Sequence, residues 1–305
     1  TSKMSFKSDA TYYFHITLKS AQRHRNLKRH ILPIILSLFL LPLHLFAQAP
    51  EKLELLPQMS HVVVLGDSNT WLGGDECDDE KGWTFHFKQT VRPASCRSYA
   101  RSGATWSHTE KTCADTEEEV EVITDNNVIY NQYLRLRRDV LQGKQPRPTL
   151  LLIAAGTNDA WFSQKQRKGC LDNLKKANDN AKVNADSLLA LDLSELTGLR
   201  EAVLFNCLTI QRDFPQTRIV LLTPFQSVHA GLRPITLAGD CIEACARQLD
   251  IECFRQDKEC CVKNLTEQKT KTYTTDGTHL NPTAARLIGQ QLAKVLFPET
   301  NGFTH

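Results

Sequence analysis

Four short polar blocks, far apart along this 305-residue chain, carry residue types that together could transfer an acyl group. They are Gly66-Asp67-Ser68-Asn69, Ser102-Gly103-Ala104, Gly156-Thr157-Asn158-Asp159 and Asp276-Gly277-Thr278-His279. A serine hydroxyl is a weak nucleophile until a base takes its proton, and His279 can do that if a carboxylate fixes its tautomer. Asp276 stands three residues before His279. At that separation two side chains of one turn can point the same way, so the carboxylate could reach Nδ1 while Nε2 faces Ser68. The oxyanion formed on attack needs donors. The backbone N–H of Gly103, the amide of Asn158 and the N–H of Ser68 itself are candidates, each worth about 3 kcal/mol of transition-state stabilisation. With His279 as base, activity should rise as the imidazole loses its proton.

Each block also has a plainer reading. Gly-Asp-Ser-Asn alone is a good strand-to-helix turn, Asn158 could satisfy a loop backbone, and Asp-Gly-Thr-His could be a capped turn with a structural histidine. What favours chemistry is placement. Three blocks follow short apolar runs and the fourth precedes a capped helix, so all four fall where an open parallel sheet binds its ligands, at the carboxyl ends of the strands.

The elements that would position them alternate. His61–Ser68, 96–103, 149–159, 218–225 and 250–257 read as strands, and the near-continuous apolarity of the first, third and fourth predicts a parallel sheet covered on both faces. Helical periodicity occupies 127–142, 193–215, 234–249 and 281–297. The second of these has Ser194 as its cap candidate, and the last starts with Asn281 as N-cap and Pro282 at the first helical position. This alternation implies a doubly wound α/β sandwich in one domain, residues 50–305, with loops or insertions at 72–94, 104–125, 160–192 and 258–275.

The blocks resemble those of the SGNH (GDSL-type) hydrolase family, in the family's order. Gly66-Asp67-Ser68-Asn69 matches the nucleophile block, Gly103 the second, Gly156-Thr157-Asn158-Asp159 the third and Asp276-Gly277-Thr278-His279 the last. The resemblance implies a flavodoxin-like three-layer α/β/α sandwich with a mostly parallel sheet of about five strands, and esterase activity without metal or other cofactor. It implies Ser68 as nucleophile, His279 as base, Asp276 as its orienting acid, and Gly103 with Asn158 in the oxyanion hole. Two positions depart from the pattern. Asn69 stands where the name motif has Leu, and Arg101 where many members carry Asn, so the support of the Gly103 loop should differ.

Before these blocks, Lys28, Arg29 and His30 precede an apolar run from Ile31 to Phe46 and the small-x-small sequence Ala47-Gln48-Ala49. This fits a signal peptide cleaved after Ala49, and hence a secreted or periplasmic protein. The run is too short, and too broken by Pro33, Pro42 and His44, for the roughly 20 residues that span a bilayer. The stretch from Thr1 to Asn26 is longer than an ordinary n-region and is assigned no fold. The whole chain has a net charge of +3. Without the seven Lys/Arg and one Asp before residue 50, it keeps 30 basic and 33 acidic residues, a net of −3. No basic stripe with interleaved aromatics is left, which excludes nucleic acid as partner.

Ten cysteines in an exported chain point to one or two disulfides plus buried thiols, with connectivity open. Cys241 to Cys261 lacks the paired C-x-x-C knuckles of a zinc site, so no metal is expected. Trp71, Trp106 and Trp161 each sit three residues beyond a motif residue. Indoles there could line the mouth and stack on sugar rings or acyl chains, or simply pack loops onto the sheet edge. Asn264-Leu265-Thr266 fits a glycosylation acceptor.

The expected function is an exported serine esterase acting on small acyl, above all acetyl, esters of a small molecule or glycan, with no stable membrane anchor after cleavage. A lysophospholipase or thioesterase is the nearest alternative, and a noncatalytic carbohydrate-binding protein on the same fold the next. A phosphohydrolase built on Asp67, Asp159 and Asp276 lacks a D-x-D loop or ligand cluster and would lose activity to EDTA.

Overall fold

The computed structural model describes residues 60–116, 123–163 and 184–298; the leader and Cys170 lie outside them. Five strands form the sheet: β1 (His61–Gly66), β2 (Ser95–Ser98), β3 (Leu150–Ala154), β4 (Arg218–Leu222) and β5 (Glu252–Phe254). Their order is β2-β1-β3-β4-β5, and every pair is parallel. This is the flavodoxin order, whose winding reverses between β1 and β3 and opens a crevice there. Register makes the crevice edge level, since Gly66 lies opposite Ala154 and Ala154 opposite Leu222.

The helices among the described residues are α1 (Ser68–Trp71), α2 (Trp83–Val91), α3 (Ile129–Leu141), α4 (Thr157–Ser163), α5 (Ala185–Leu189), α6 (Leu199–Asp213), α7 (Leu232–Gln248), α8 (Gln256–Glu259), α9 (Asn264–Lys269) and α10 (Pro282–Leu296). Strand side chains alternate between two cores. Val63, Leu65, Leu151, Ile153 and Leu221 join apolar residues of α3, α6 and α7, while Val62, Val64, Leu150, Leu152 and Leu222 join those of α2 and α10. Both faces are therefore covered, which is why these strands read as unbroken apolar runs. Each fully buried Val or Leu contributes roughly 1.5–3 kcal/mol of transfer free energy.

The α10 start is as the sequence predicts: the Asn281 side chain accepts from Ala284 N at 3.0 Å and Pro282 opens the helix. Gly289 then lets α10 lie hard against α2, because a Cβ there would stand 2.4 Å from the Trp83 carbonyl. Other boundaries move. The 193–215 helix begins at Leu199 with Gly198 at its N-cap, and Ser194 lies in a separate 3-10 turn closed by a capping box of Asp192 and Glu195. Thr197-Gly198 separates the two. Part of the 72–94 loop is α2, whose buried Trp83, Phe87 and Val91 repeat every fourth residue behind an Asp- and Gly-rich turn that masks the pattern. Short helices likewise occupy parts of 160–192 and 258–275.

The nine described cysteines are free thiols, most of them buried, so the expected disulfides are not formed among them. The buried ones serve as small apolar side chains. Cys77 meets Cys96, and Cys241 meets Cys245, thiol to thiol. The Asn264 side chain is buried and donates to the Ser227 carbonyl at 2.7 Å, which removes it as an accessible glycosylation acceptor. Among the described residues no helix is long and apolar enough to cross a membrane, and no group of three or more His, Cys, Asp or Glu could hold a metal ion.

Candidate active site

β1 ends at Gly66, and its peptide is gripped from α3. Gly66 N donates to Gln132 Oε1 and Gln132 Nε2 donates to Gly66 O, both at 2.8 Å. Asp67 then caps α1 with its carboxylate, accepting from Asn69 N at 3.1 Å, and Ser68 stands at the first helical position. Burial pushes the Asp67 carboxyl up to about 6, although a hydrogen bond from Thr157 and the amide of Asn69 pull against it.

His279 arrives from the far end of the chain. Its Nε2 lies 3.0 Å from Ser68 Oγ, and its Nδ1 2.7 Å from Asp276 Oδ2. Burial works to raise the Asp276 carboxyl, but hydrogen bonds from the His279 amide and ring and from the Thr278 amide outweigh it and hold it at about 2. An ionised carboxylate only accepts, so Nδ1 carries the proton and Nε2 is left to accept from the serine hydroxyl. The other carboxylate oxygen takes the backbone N–H of Thr278 and His279, each at 2.8 Å. Asp276 thus shapes the turn that presents its partner.

The loop after β2 brings the second block alongside. Arg101 N donates to the Gly66 carbonyl at 3.1 Å, and the Arg101 guanidinium forms a two-pronged pair with Asp75 at 2.7 and 3.2 Å. The departure at this position is thus a working support of a different kind. Gly103 has φ +75°, a conformation in which a side chain is strained, and a Cβ there would also stand 2.8 Å from Ile123 Cγ2. Asn158 Nδ2 donates to the Ala104 carbonyl at 2.9 Å, tying the third block to the second. An amide nitrogen carries two N–H, and Ala104 takes one.

The three tryptophans separate. Trp106 is fully buried in the core and is not at the mouth; its backbone N–H donates to Asp159 Oδ2 at 3.0 Å, which holds the chain there inward. Trp71 and Trp161 are half-buried. Trp161 stacks on His229, with ring centroids 5.3 Å apart and planes 11° from parallel. The exposed His229 donates through Nε2 to the Asp276 carbonyl at 3.1 Å.

Sequence reading missed several supports. Gln132 could have been noticed as an amide on an apolar helix face. Asp159 was seen as a motif residue, but its bonds to the N–H of Trp106 and Ser107 and the Ser107 hydroxyl were not legible. Glu267, buried, accepts from Tyr273 N, Thr274 N and Thr274 Oγ1, and nothing in its surroundings marks it. His229 likewise carried no signal.

Comparison with solved structures places the fold. One, 17% identical, superimposes with a TM-score of 0.52 over 80% of this chain and 99% of its own. A protein from Lactobacillus plantarum, 12% identical, gives 0.51 over 79% and 98%. An acetyl xylan esterase, 16% identical, gives 0.47 over 77% and 98%. No curated protein matches the chain. The family model described as a GDSL-like lipase/acylhydrolase matches residues 62–292, a span that takes in all four blocks. With that match over most of its length, the chain belongs to the GDSL-like lipase/acylhydrolase family and is a hydrolase of the esterase and lipase kind.

Proposed function

We propose that this hydrolase is an exported serine esterase that removes small acyl groups, acetyl above all, from carbohydrate. The observation that carries the reading is the unbroken contact from Ser68 Oγ through the His279 ring to Asp276, 3.0 and 2.7 Å. Ser68 attacks the ester carbonyl and His279 Nε2 takes its proton. The carbonyl oxygen becomes an oxyanion held by the N–H of Ser68 and Gly103 and the Asn158 amide. The ester C–O bond breaks as His279 returns the proton to the departing alcohol, leaving an acyl group on Ser68. Water, deprotonated by the same imidazole, then releases the acid. Asp276 stays ionised throughout, holding the ring and stabilising its protonated form.

Support for the sugar comes from the flat Trp161–His229 stack beside Asp276, an apolar face of the kind that packs on a pyranose ring. Support for export comes from the leader pattern ending at Ala49. A second reading, a lysophospholipase or thioesterase, is favoured by Ile123, which lies over Gly103 with 61% of its surface exposed and could meet a longer acyl chain.

The test is to assay residues 50–305 on acetylated glycans and on nitrophenyl esters of increasing chain length, with Ser68→Ala alongside. Turnover of acetylated glycan, lost by about 10⁴-fold or more in Ser68→Ala, is expected. A preference for octanoyl or longer esters over acetyl would move the assignment to the second reading, and failure of a fluorophosphonate to label Ser68 would remove the esterase assignment altogether.

A further inference from the structure

Asn69 stands beside the nucleophile at the position where the family's name motif has leucine, and its carboxamide is buried. Oδ1 accepts from Leu280 N at 3.0 Å, and Nδ2 donates to the Thr278 carbonyl at 3.3 Å. These partners settle the orientation of the amide, because a backbone N–H only donates and a carbonyl only accepts. The two bonded residues flank His279, and they are 209 and 211 positions from Asn69 in the chain.

The histidine needs such a tie. Its side chain is 35% exposed, so packing alone does not enclose the ring. Asp276, three residues away, fixes the ring relative to its own turn but not relative to α1. The Asn69 carboxamide joins α1 to the peptides on both sides of that ring, and a leucine could make neither bond. Thr278 is steadied further by a 2.7 Å bond between its hydroxyl and that of Ser227.

We propose that Asn69 is a positioning residue: its carboxamide clamps the main chain on either side of His279 to the nucleophile helix and so sets the contact between Ser68 and the imidazole. The inference rests on the assignment of Ser68 and His279 as nucleophile and base. Replacing Asn69 by Leu removes both bonds and leaves Leu280 N and the Thr278 carbonyl buried without these partners.

The experiment compares wild type, Asn69→Leu and Asn69→Ala on nitrophenyl acetate, in the native background and in His279→Ala, with thermal melting of each. In the native background kcat should fall about 10- to 100-fold at nearly unchanged KM, more in Leu than in Ala, and fluorophosphonate labelling of Ser68 should slow in step. In the His279→Ala background the residual rate should not fall further, since no ring is left to position. Unchanged kcat in a folded variant would overturn the proposal. So would an equal further loss in the His279→Ala background, which would place Asn69's effect elsewhere in the site. If Asn69→Leu fails to fold, the Ala variant gives the same reading. A wild type without turnover or labelling would overturn the esterase assignment instead, so the two failures are distinguishable.

Discussion

The Gly103 loop, described over 99–116 and 123–128, and the His279 loop (270–281) do similar work by different means. Both are irregular, both bring one group to the sheet edge, and both are anchored on a buried carboxylate that takes two backbone N–H and one hydroxyl. Asp159 anchors the first, through Trp106, Ser107 and the Ser107 hydroxyl. Glu267 anchors the second, through Tyr273, Thr274 and the Thr274 hydroxyl. The difference is distance along the chain. Asp159 lies 52 and 53 residues from its partners, whereas Glu267 lies 6 and 7 from its own. The His279 loop is anchored largely from within and tied across by Asn69, while the Gly103 loop, for all its local turns, takes its buried carboxylate anchor from the segment after β3. A local anchor can form with its loop; a remote one ties loop geometry to the whole sheet.

This contrast breaks first at Asp159. Asp159→Ala leaves three buried donors without that acceptor, at about 1–3 kcal/mol each, and frees the segment that follows Gly103. Thermal or urea unfolding should show a loss of about 3 kcal/mol or more, and kcat should fall about 10²- to 10³-fold, the size expected when one oxyanion donor is lost. Glu267→Gln keeps one acceptor oxygen and acts on a loop still held by Asp276 and Asn69. Its cost should be smaller, about 1–3 kcal/mol, with kcat lowered about tenfold. Equal effects from the two variants would erase the distinction between remote and local anchoring.

Acid separates the loops more gently. Burial lowers the His108 imidazole, in the Gly103 loop, from 6.5 to about 4. Its contribution to stability is therefore complete above pH 6.5 and lost as pH falls through about 4. Asp276 is held at about 2, so its contribution is complete above pH 3.8 and lost only as pH falls through about 2. Hydrogen exchange near pH 5, corrected for intrinsic rate, should show the Gly103 loop loosened relative to pH 8 and the His279 loop unchanged, and His108→Gln should abolish that difference. Asp67 has the opposite sign. Held up at about 6 by burial, its contribution is present below pH 3.8 and lost as pH rises through about 6, so Asp67→Asn should flatten the stability profile between those values.

The smallest effect belongs to the rim. His229→Ala removes the stack on Trp161 and one bond to the Asp276 carbonyl, both at the surface. KM for an acetylated glycan should rise about two- to fivefold, while kcat on nitrophenyl acetate changes less than twofold.

How far sequence carried this protein follows the same division. β1, β3 and β4 were legible because strands covered on both faces must be apolar throughout, and α10 because Asn-Pro is a local start signal. That Ser68, Asp276 and His279 fall at one edge was legible because each sits at a strand end or helix start, where the order of elements fixes its edge. The α2 helix was hidden by the turn before it, and the start of α6 lay past a separate 3-10 turn. Trp106 was misplaced because a spacing of three says where a residue lies in the chain, not which way a loop turns.

By itself the sequence determined the doubly wound parallel sheet and the four polar blocks at its edge, since both rest on hydrophobic period and on residues a few positions apart. Only the tertiary structure decided that Gln132 grips Gly66, that Asp159 holds the Gly103 loop and that Asn69 reaches across to the two sides of His279. Those bonds join residues from 52 to 211 positions apart. Polar groups find such partners only after the apolar layers have closed and left them no water to bond instead.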